Sequence, residues 1–198
     1  MRLHRHVTTA VLVAGVLSFG TGVHGADYSI DPMHSNVGFR IRHMVSQVKG
    51  QFTDFTGTFS YDPAAPDKSS VEAVIQARSV NTNVEKRDEH LRSADFFDVA
   101  KFPTLTFKSS SVKSAGPGML MATGTLTLHG VSKPAVLSIQ GGDTVKDPWG
   151  GTRTGFTAST TINRKDFGMV WNKTLDNGGL LIGEDVKIEI EVEGVQKK

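Results

Sequence analysis

Apolar and polar residues alternate with a period of two through most of this 198-residue chain, and that pattern limits the folds open to it. Val37, Phe39 and Ile41 alternate with Asn36, Gly38, Arg40 and Arg42. Phe55, Phe59 and Tyr61 alternate with Thr56, Thr58 and Ser60, with Gly57 on the apolar side. Leu120, Ala122, Gly124, Leu126 and Leu128 alternate with Thr123, Thr125 and Thr127, and Val186, Ile188, Ile190 and Val192 alternate with Lys187, Glu189 and Glu191. Each such run is a strand with one buried and one wet face. Turn signals separate the runs: Asp62-Pro63, Gly116-Pro117-Gly118, Gly141-Gly142-Asp143, Asp147-Pro148 and Asn177-Gly178-Gly179. Strands with one apolar face, joined by short turns, form an antiparallel barrel or sandwich.

Two regions break the alternation. Residues 81–100 are predicted helical, with Asn81 or Asn83 as the cap and Pro103 ending the region. A shorter turn is expected at 164–167. The start of the chain follows another rule. Arg2 and Arg5 precede an uncharged stretch at 7–19, and small residues follow at Gly20, Gly22, Val23, Gly25 and Ala26. This order predicts a secretory signal peptide over 1–25 and a single mature domain over 26–198. The stretch falls short of the roughly 20 apolar residues of a membrane-spanning helix, so no stable membrane span is expected.

Loss of the leader lowers Lys+Arg from 22 to 20 and leaves Asp+Glu at 20. The mature chain is neutral and has no basic run, which argues against a nucleic-acid surface. Cysteine is absent, so thiol, disulfide and Cys–metal chemistry are excluded. The four histidines after the leader, His34, His43, His90 and His129, fall in different segments without a close metal-binding spacing. No metal or other cofactor is expected, and no catalytic residue is assigned. The dense group Arg87, Asp88, Glu89, His90 and Arg92 is best read as local pairing that fixes a helix. Contact of Arg87 or Arg92 with a ligand head group and an acid–base pair of His90 with Asp88 are the alternatives.

The apolar faces mix phenylalanines with glycine and alanine. Roughly eight strands close a barrel that is either filled by side chains or holds one small ligand. Alternation leaves both open. If the lumen is hollow, its candidate lining residues are Phe39, Ile41, Phe52, Phe59, Phe107, Leu126 and Phe156. Trp171, upstream of Gly178-Gly179, is a candidate for the rim.

Five stretches go beyond a generic barrel: Tyr28-Ser-Ile-Asp-Pro-Met-His34-Ser35; Val48-Lys-Gly50-Gln-Phe52 with Phe55 and Gly57; Arg87-Asp-Glu-His-Leu-Arg-Ser93 with Asp95-Phe-Phe-Asp98; Gly124-Thr-Leu-Thr-Leu-His-Gly-Val131; and Arg164-Lys-Asp-Phe-Gly-Met169. Together they resemble the YceI-like family of bacterial periplasmic, polyisoprenoid-binding proteins over the whole mature chain, with no clear departure from its pattern. The resemblance implies an all-β, eight-stranded antiparallel, lipocalin-like barrel with short helical elements between strands. It also implies a periplasmic location and an amphiphilic partner with a long isoprenoid or similar tail, such as a polyprenyl phosphate or a quinone. Two other readings are weighed beside this carrier: an enzyme acting on such a lipid, and a packed structural or stress-response protein without a ligand. The oligomeric state is left open, a dimer being one option.

Overall fold

The computed structural model describes residues 25–176 and 178–198. Apart from Gly25, the leader expected over 1–25 lies outside the described residues. The strands are Ala26–Ile30 (β1), Asn36–His43 (β2), Ser46–Phe52 (β3), Phe55–Tyr61 (β4), Ser70–Gln76 (β5), Val80–Asn81 (β6), Thr104–Gly116 (β7), Met119–Leu128 (β8), Val131–Lys146 (β9), Thr152–Asn163 (β10) and Ile182–Gln196 (β11). One α-helix, Glu85–Arg92 (α1), lies between β6 and β7.

All pairings are antiparallel, and the eleven strands make eight staves. β1 and β2 run on along one edge of β11: Ile30 pairs with Gly194 and Val37 with Ile190. β3 and β4 form the second stave and β5 and β6 the third, with β2 against β3 and β1 against β4. β7 to β11 complete the ring, each beside its neighbour in the chain, and β11 closes on β1 and β2. The result is a closed, eight-stranded antiparallel barrel. Closure pairs most strand edges, a strong protection against edge-to-edge association.

The broken staves explain a change of phase in the sequence. Phe52 and Phe55 are both buried, although an unbroken strand would place them on opposite faces. The chain bends at Thr53 and Asp54, where Ser79 receives it. Thr53 N donates to the Ser79 carbonyl at 3.2 Å, and Asp54 N donates to Ser79 Oγ at 3.1 Å. Elsewhere the period of two holds, most cleanly in β8, where every second residue from Leu120 to Leu128 is buried.

One end of the barrel carries α1, the His129–Gly130 turn and residues 164–176 and 178–181. The other carries the loops around 62–69, 117–118 and 147–151. His129 (φ 51°) and Gly130 (φ 72°) both have positive φ, as a two-residue type I′ hairpin requires.

The expected helix over 81–100 is a correction: only Glu85–Arg92 is α-helical, and the chain then turns through 93–101. Neither asparagine caps it. Val84 stands at the N-cap without a side-chain bond, while Asn81 Oδ1 accepts from Asn83 N at 2.8 Å in a local turn. Instead, the Asp88 carboxylate reaches back to accept from Thr82 N at 2.9 Å and from Thr82 Oγ1. The short turn at Arg164–Phe167 is a 3₁₀ helix capped by Asn163, whose Oδ1 accepts from Lys165 N at 2.9 Å.

Candidate functional site

The inward faces of the staves enclose an apolar cavity of about 180 Å³. Phe39, Phe52, Phe59, Phe107, Leu126 and Phe156 line it, as expected of a hollow lumen. Ile41 and Trp171 do not. Ile41 sits on β2 nearer the helix end, paired with Val48 and Val186. Trp171 packs outside the lumen, edge-on to His90 with centroids 4.9 Å apart and tilted against Phe96 at 5.3 Å. The wall contributed by β9, with Ala135, Leu137 and Ile139, was missed. A period of two was present there, but Pro134 interrupts it and Val136, on the outer face, obscures it.

The small residues divide into two groups. Ala73 and Ala158 line the cavity and leave it room. Several glycines instead seat aromatic rings. A Cβ built on Gly50 would strike the Phe39 ring, and one on Gly194 would strike Phe59. One on Gly124 would lie 2.7 Å from Phe107 Cζ and 2.8 Å from Ser109 Cα. Gly38 points outward, between Asn36 and the Glu189 carbonyl.

Aromatic contacts cluster toward both ends of the lumen. At the loop end Tyr28 stacks on Phe59 at 5.0 Å, and Phe156 meets Phe59 at 5.6 Å and Tyr61 at 5.0 Å. Tyr61 and Ser69 are among the polar residues of the lining there. Burial, with the carboxylates of Asp143 and Asp62 nearby, pushes the Tyr61 hydroxyl above its usual pKa. At the helix end Phe52 bridges Phe39 and Phe97.

The charged group on α1 works as a fastening. Arg87 donates to the Thr82 carbonyl at 2.9 Å and to Thr82 Oγ1 at 2.7 Å. Arg92 donates to the carbonyls of Arg78 at 2.9 Å and Val80 at 3.1 Å, and it pairs with Glu85. Both guanidinium groups are thus engaged by the chain itself. His90 faces Asp95 at 2.8 Å, not Asp88, and neither lines the cavity.

The fold also assembles a cluster that sequence spacing hid, because its members come from distant segments. Asp31, His34 and Glu193 bring ligand atoms within 4.8 Å of one another. The central position belongs to Arg153, whose guanidinium pairs with Asp31 at 2.8 Å, with Asp147 at 3.1 Å and with Glu193. Bonds from His34 and Arg153 hold the Asp31 carboxyl at a pKa of about 2. With that cation in place, the three carboxylates are already satisfied.

A larger depression of about 620 Å³ crosses the outer face of the sheet. Its floor is polar, and its middle is held by Arg40, which pairs with Glu189. The apolar enclosure is therefore the interior cavity.

The YceI-like domain model matches residues 28–194. A UPF0312 protein of Vibrio cholerae is 42% identical over 193 residues, covering 95% of this chain and 97% of its own. One from Ectopseudomonas mendocina is 44% identical over 191 residues, with the same coverage. Among solved structures, the Campylobacter jejuni YceI protein is similar with a TM-score of 0.70 and 33% identity, over 79% of this chain and 90% of that one. A polyisoprenoid-binding domain from Saccharophagus degradans has a TM-score of 0.60 at 17% identity, over 86% of this chain and 98% of its own, a likeness of fold. With its barrel, its motifs and its near-complete match to the domain model, the chain belongs to the YceI-like family.

Proposed function

We propose that the protein is a periplasmic carrier that sequesters the long apolar tail of an isoprenoid or similar amphiphilic lipid inside its barrel and does no chemistry on it. The observation that carries this reading is the interior cavity, whose lining is almost entirely carbon. Among its described lining residues there is no carboxylate, imidazole, amine or guanidinium. Such a surface rewards hydrocarbon with roughly 0.8 kcal/mol for each buried CH₂, which supports binding of an apolar tail. The polyisoprenoid-binding fold neighbour supports the same class of ligand.

The size of the cavity adds a requirement. At about 180 Å³ it exceeds the roughly 150 Å³ cavity that admits benzene. It is smaller than the ~300–1,000 Å³ typical of ligand pockets. A long tail therefore enters as the aromatic side chains of the lumen swing aside, with Phe59, Phe156 and Phe52 the movable walls.

The test is gentle purification of the exported protein, solvent extraction and mass spectrometry. One co-purifying lipid per folded chain, released on denaturation, is expected. Protein that emerges clean and also refuses added isoprenoids overturns the carrier reading. Recovery of a tagged full chain in the cytoplasmic fraction overturns the location.

A further inference from the structure

Among the described residues, two buried side-chain polar atoms have no hydrogen-bond partner: Thr154 Oγ1 and Arg164 Nη2. They stand at opposite ends of one row on β10. The inward side chains run Thr154, Phe156, Ala158, Thr160 and Ile162, and Arg164 continues their parity into the 3₁₀ turn. Thr154 marks the loop end and Arg164 the helix end. An unmet hydroxyl is a modest cost, whereas an unmet donor on a buried charged group costs more.

Arg164 is 2% exposed. Its Nε donates to the Gly183 carbonyl at 2.9 Å and its Nη1 to the Met169 carbonyl at 2.5 Å. Both acceptors are neutral. The neighbouring carboxylate, Glu184, is drawn away to Lys165 Nζ at 2.5 Å and accepts from Asn163 Nδ2 at 3.5 Å. Burial pushes the guanidinium below its usual pKa, with Glu184 opposing the shift from a distance. Buried charges are ordinarily paired, and this one meets only backbone.

We infer that the free Nη2 corner of Arg164 receives an anionic head group, a phosphate or a carboxylate, of the lipid whose tail occupies the cavity. This inference rests on the carrier reading and deepens it by naming the class of head group and the end that holds it. Arg164 is not itself in the cavity wall and lies beyond it, at the helix end. Leu128 is part of the cavity wall. The next residue, His129, places Nδ1 3.0 Å from the Phe167 carbonyl, in the same 3₁₀ turn as Arg164. The cavity residue Thr160 lies four positions before Arg164, about 13 Å along the strand, a span that a few isoprene units cover. The loop end offers the opposite electrostatics, since Asp62 and Asp143 stand near its Tyr61.

The test compares three ligands of one chain length, farnesyl phosphate, farnesoic acid and farnesol, on delipidated protein by native mass spectrometry. The wild type is expected to bind one or both anions about tenfold to a hundredfold more tightly than the alcohol, and whichever anion binds tighter identifies the head group. Arg164→Gln should lose that preference and keep its affinity for farnesol. Arg164→Lys, which keeps the charge without the planar fork, should retain a weakened preference. Equal binding of all three by the wild type overturns the inference and leaves the carrier reading intact, as does a preference that survives in Arg164→Gln. Failure of all three to bind removes the carrier reading itself. If Arg164→Gln does not fold, the wild-type and Arg164→Lys comparisons decide: no anion preference in either overturns the inference.

Discussion

The glycines on the inward faces show how residue type and neighbour act together. A missing side chain reads in the sequence as room. In the structure the room at Gly124 is already used, because the Phe107 ring crosses it diagonally from β7. Adding a Cβ there meets backbone, namely the Lys108 carbonyl oxygen and Ser109 Cα, and neither can rotate away. Gly124→Ala should therefore destabilise the barrel by about 1–3 kcal/mol, the usual cost of overpacking, as measured by urea unfolding. Gly155→Ala is the control. Its Cβ would meet only the Val192 carbonyl oxygen at 3.8 Å, so a change within about 0.5 kcal/mol is expected. Equal losses at the two positions would show that ring seating does not set the cost. The period of two revealed which face Gly124 occupies. It could not reveal the ring above it, because Phe107 belongs to another strand and the register between strands is not written in either one alone.

At the scale of elements, two side-chain clusters hold the ends of the barrel together. In the first, Asp88 ties α1 to the segment before it through Thr82. Asp88→Ala leaves the Thr82 amide without its acceptor, a loss of about 1–3 kcal/mol, whereas Asp88→Asn keeps an acceptor and should cost less. Thermal unfolding of the two variants separates these outcomes. In the second, Arg153 of β10 gathers Asp31 from the β1–β2 connection, Asp147 from the β9–β10 loop and Glu193 of β11. Bonds from His34 and Arg153 lower the folded-state pKa of Asp31 from 3.8 to about 2. A carboxyl with a depressed folded pKa stabilises above its unfolded value, and that contribution fades as the pH falls through the folded one. Stability should therefore drop between about pH 4 and pH 2, and Asp31→Asn should flatten that decline while lowering stability at pH 7. Urea midpoints across this range test it, and an unchanged acid limb in the variant would assign the loss to other carboxylates. The first cluster was legible as local pairing that fixes a helix, though not its partners; the second was not legible at all. The charged group at 87–92 was visible as composition, but many of its partners are backbone groups, the carbonyls of Arg78, Val80 and Thr82 and the Thr82 amide. Asp31 and Glu193 are far apart in the chain and meet only after β11 closes against β1.

For the whole molecule, closure converts eight half-apolar staves into one lumen; alternation pointed to an antiparallel barrel or sandwich, and the eight-stranded barrel was what the family resemblance implied. Alternation leaves volume undetermined, because volume depends on how rings from opposite walls interleave. The cavity survives where Ala73 and Ala158 face it and vanishes where rings close over glycine. If a tail occupies this lumen, its affinity depends on that retained space. Ala158→Phe projects a ring into the cavity from the middle of β10, while Thr157→Phe places the same ring on the outer face of the same strand. Filling a void adds apolar contact and should leave folding stability unchanged or raised by about 0.5–2 kcal/mol. Lipid affinity should nevertheless fall at least tenfold, about 1.4 kcal/mol, because the tail and the new ring need the same volume. Thr157→Phe should bind like the wild type. A stable Ala158→Phe protein that still carries its lipid would place the tail elsewhere, and a parallel loss in Thr157→Phe would move it to the outer face. Binding lost only in the inward variant, with stability retained, distinguishes a lumen kept open for a guest from an imperfection in packing, since refilling an imperfection costs the protein nothing else.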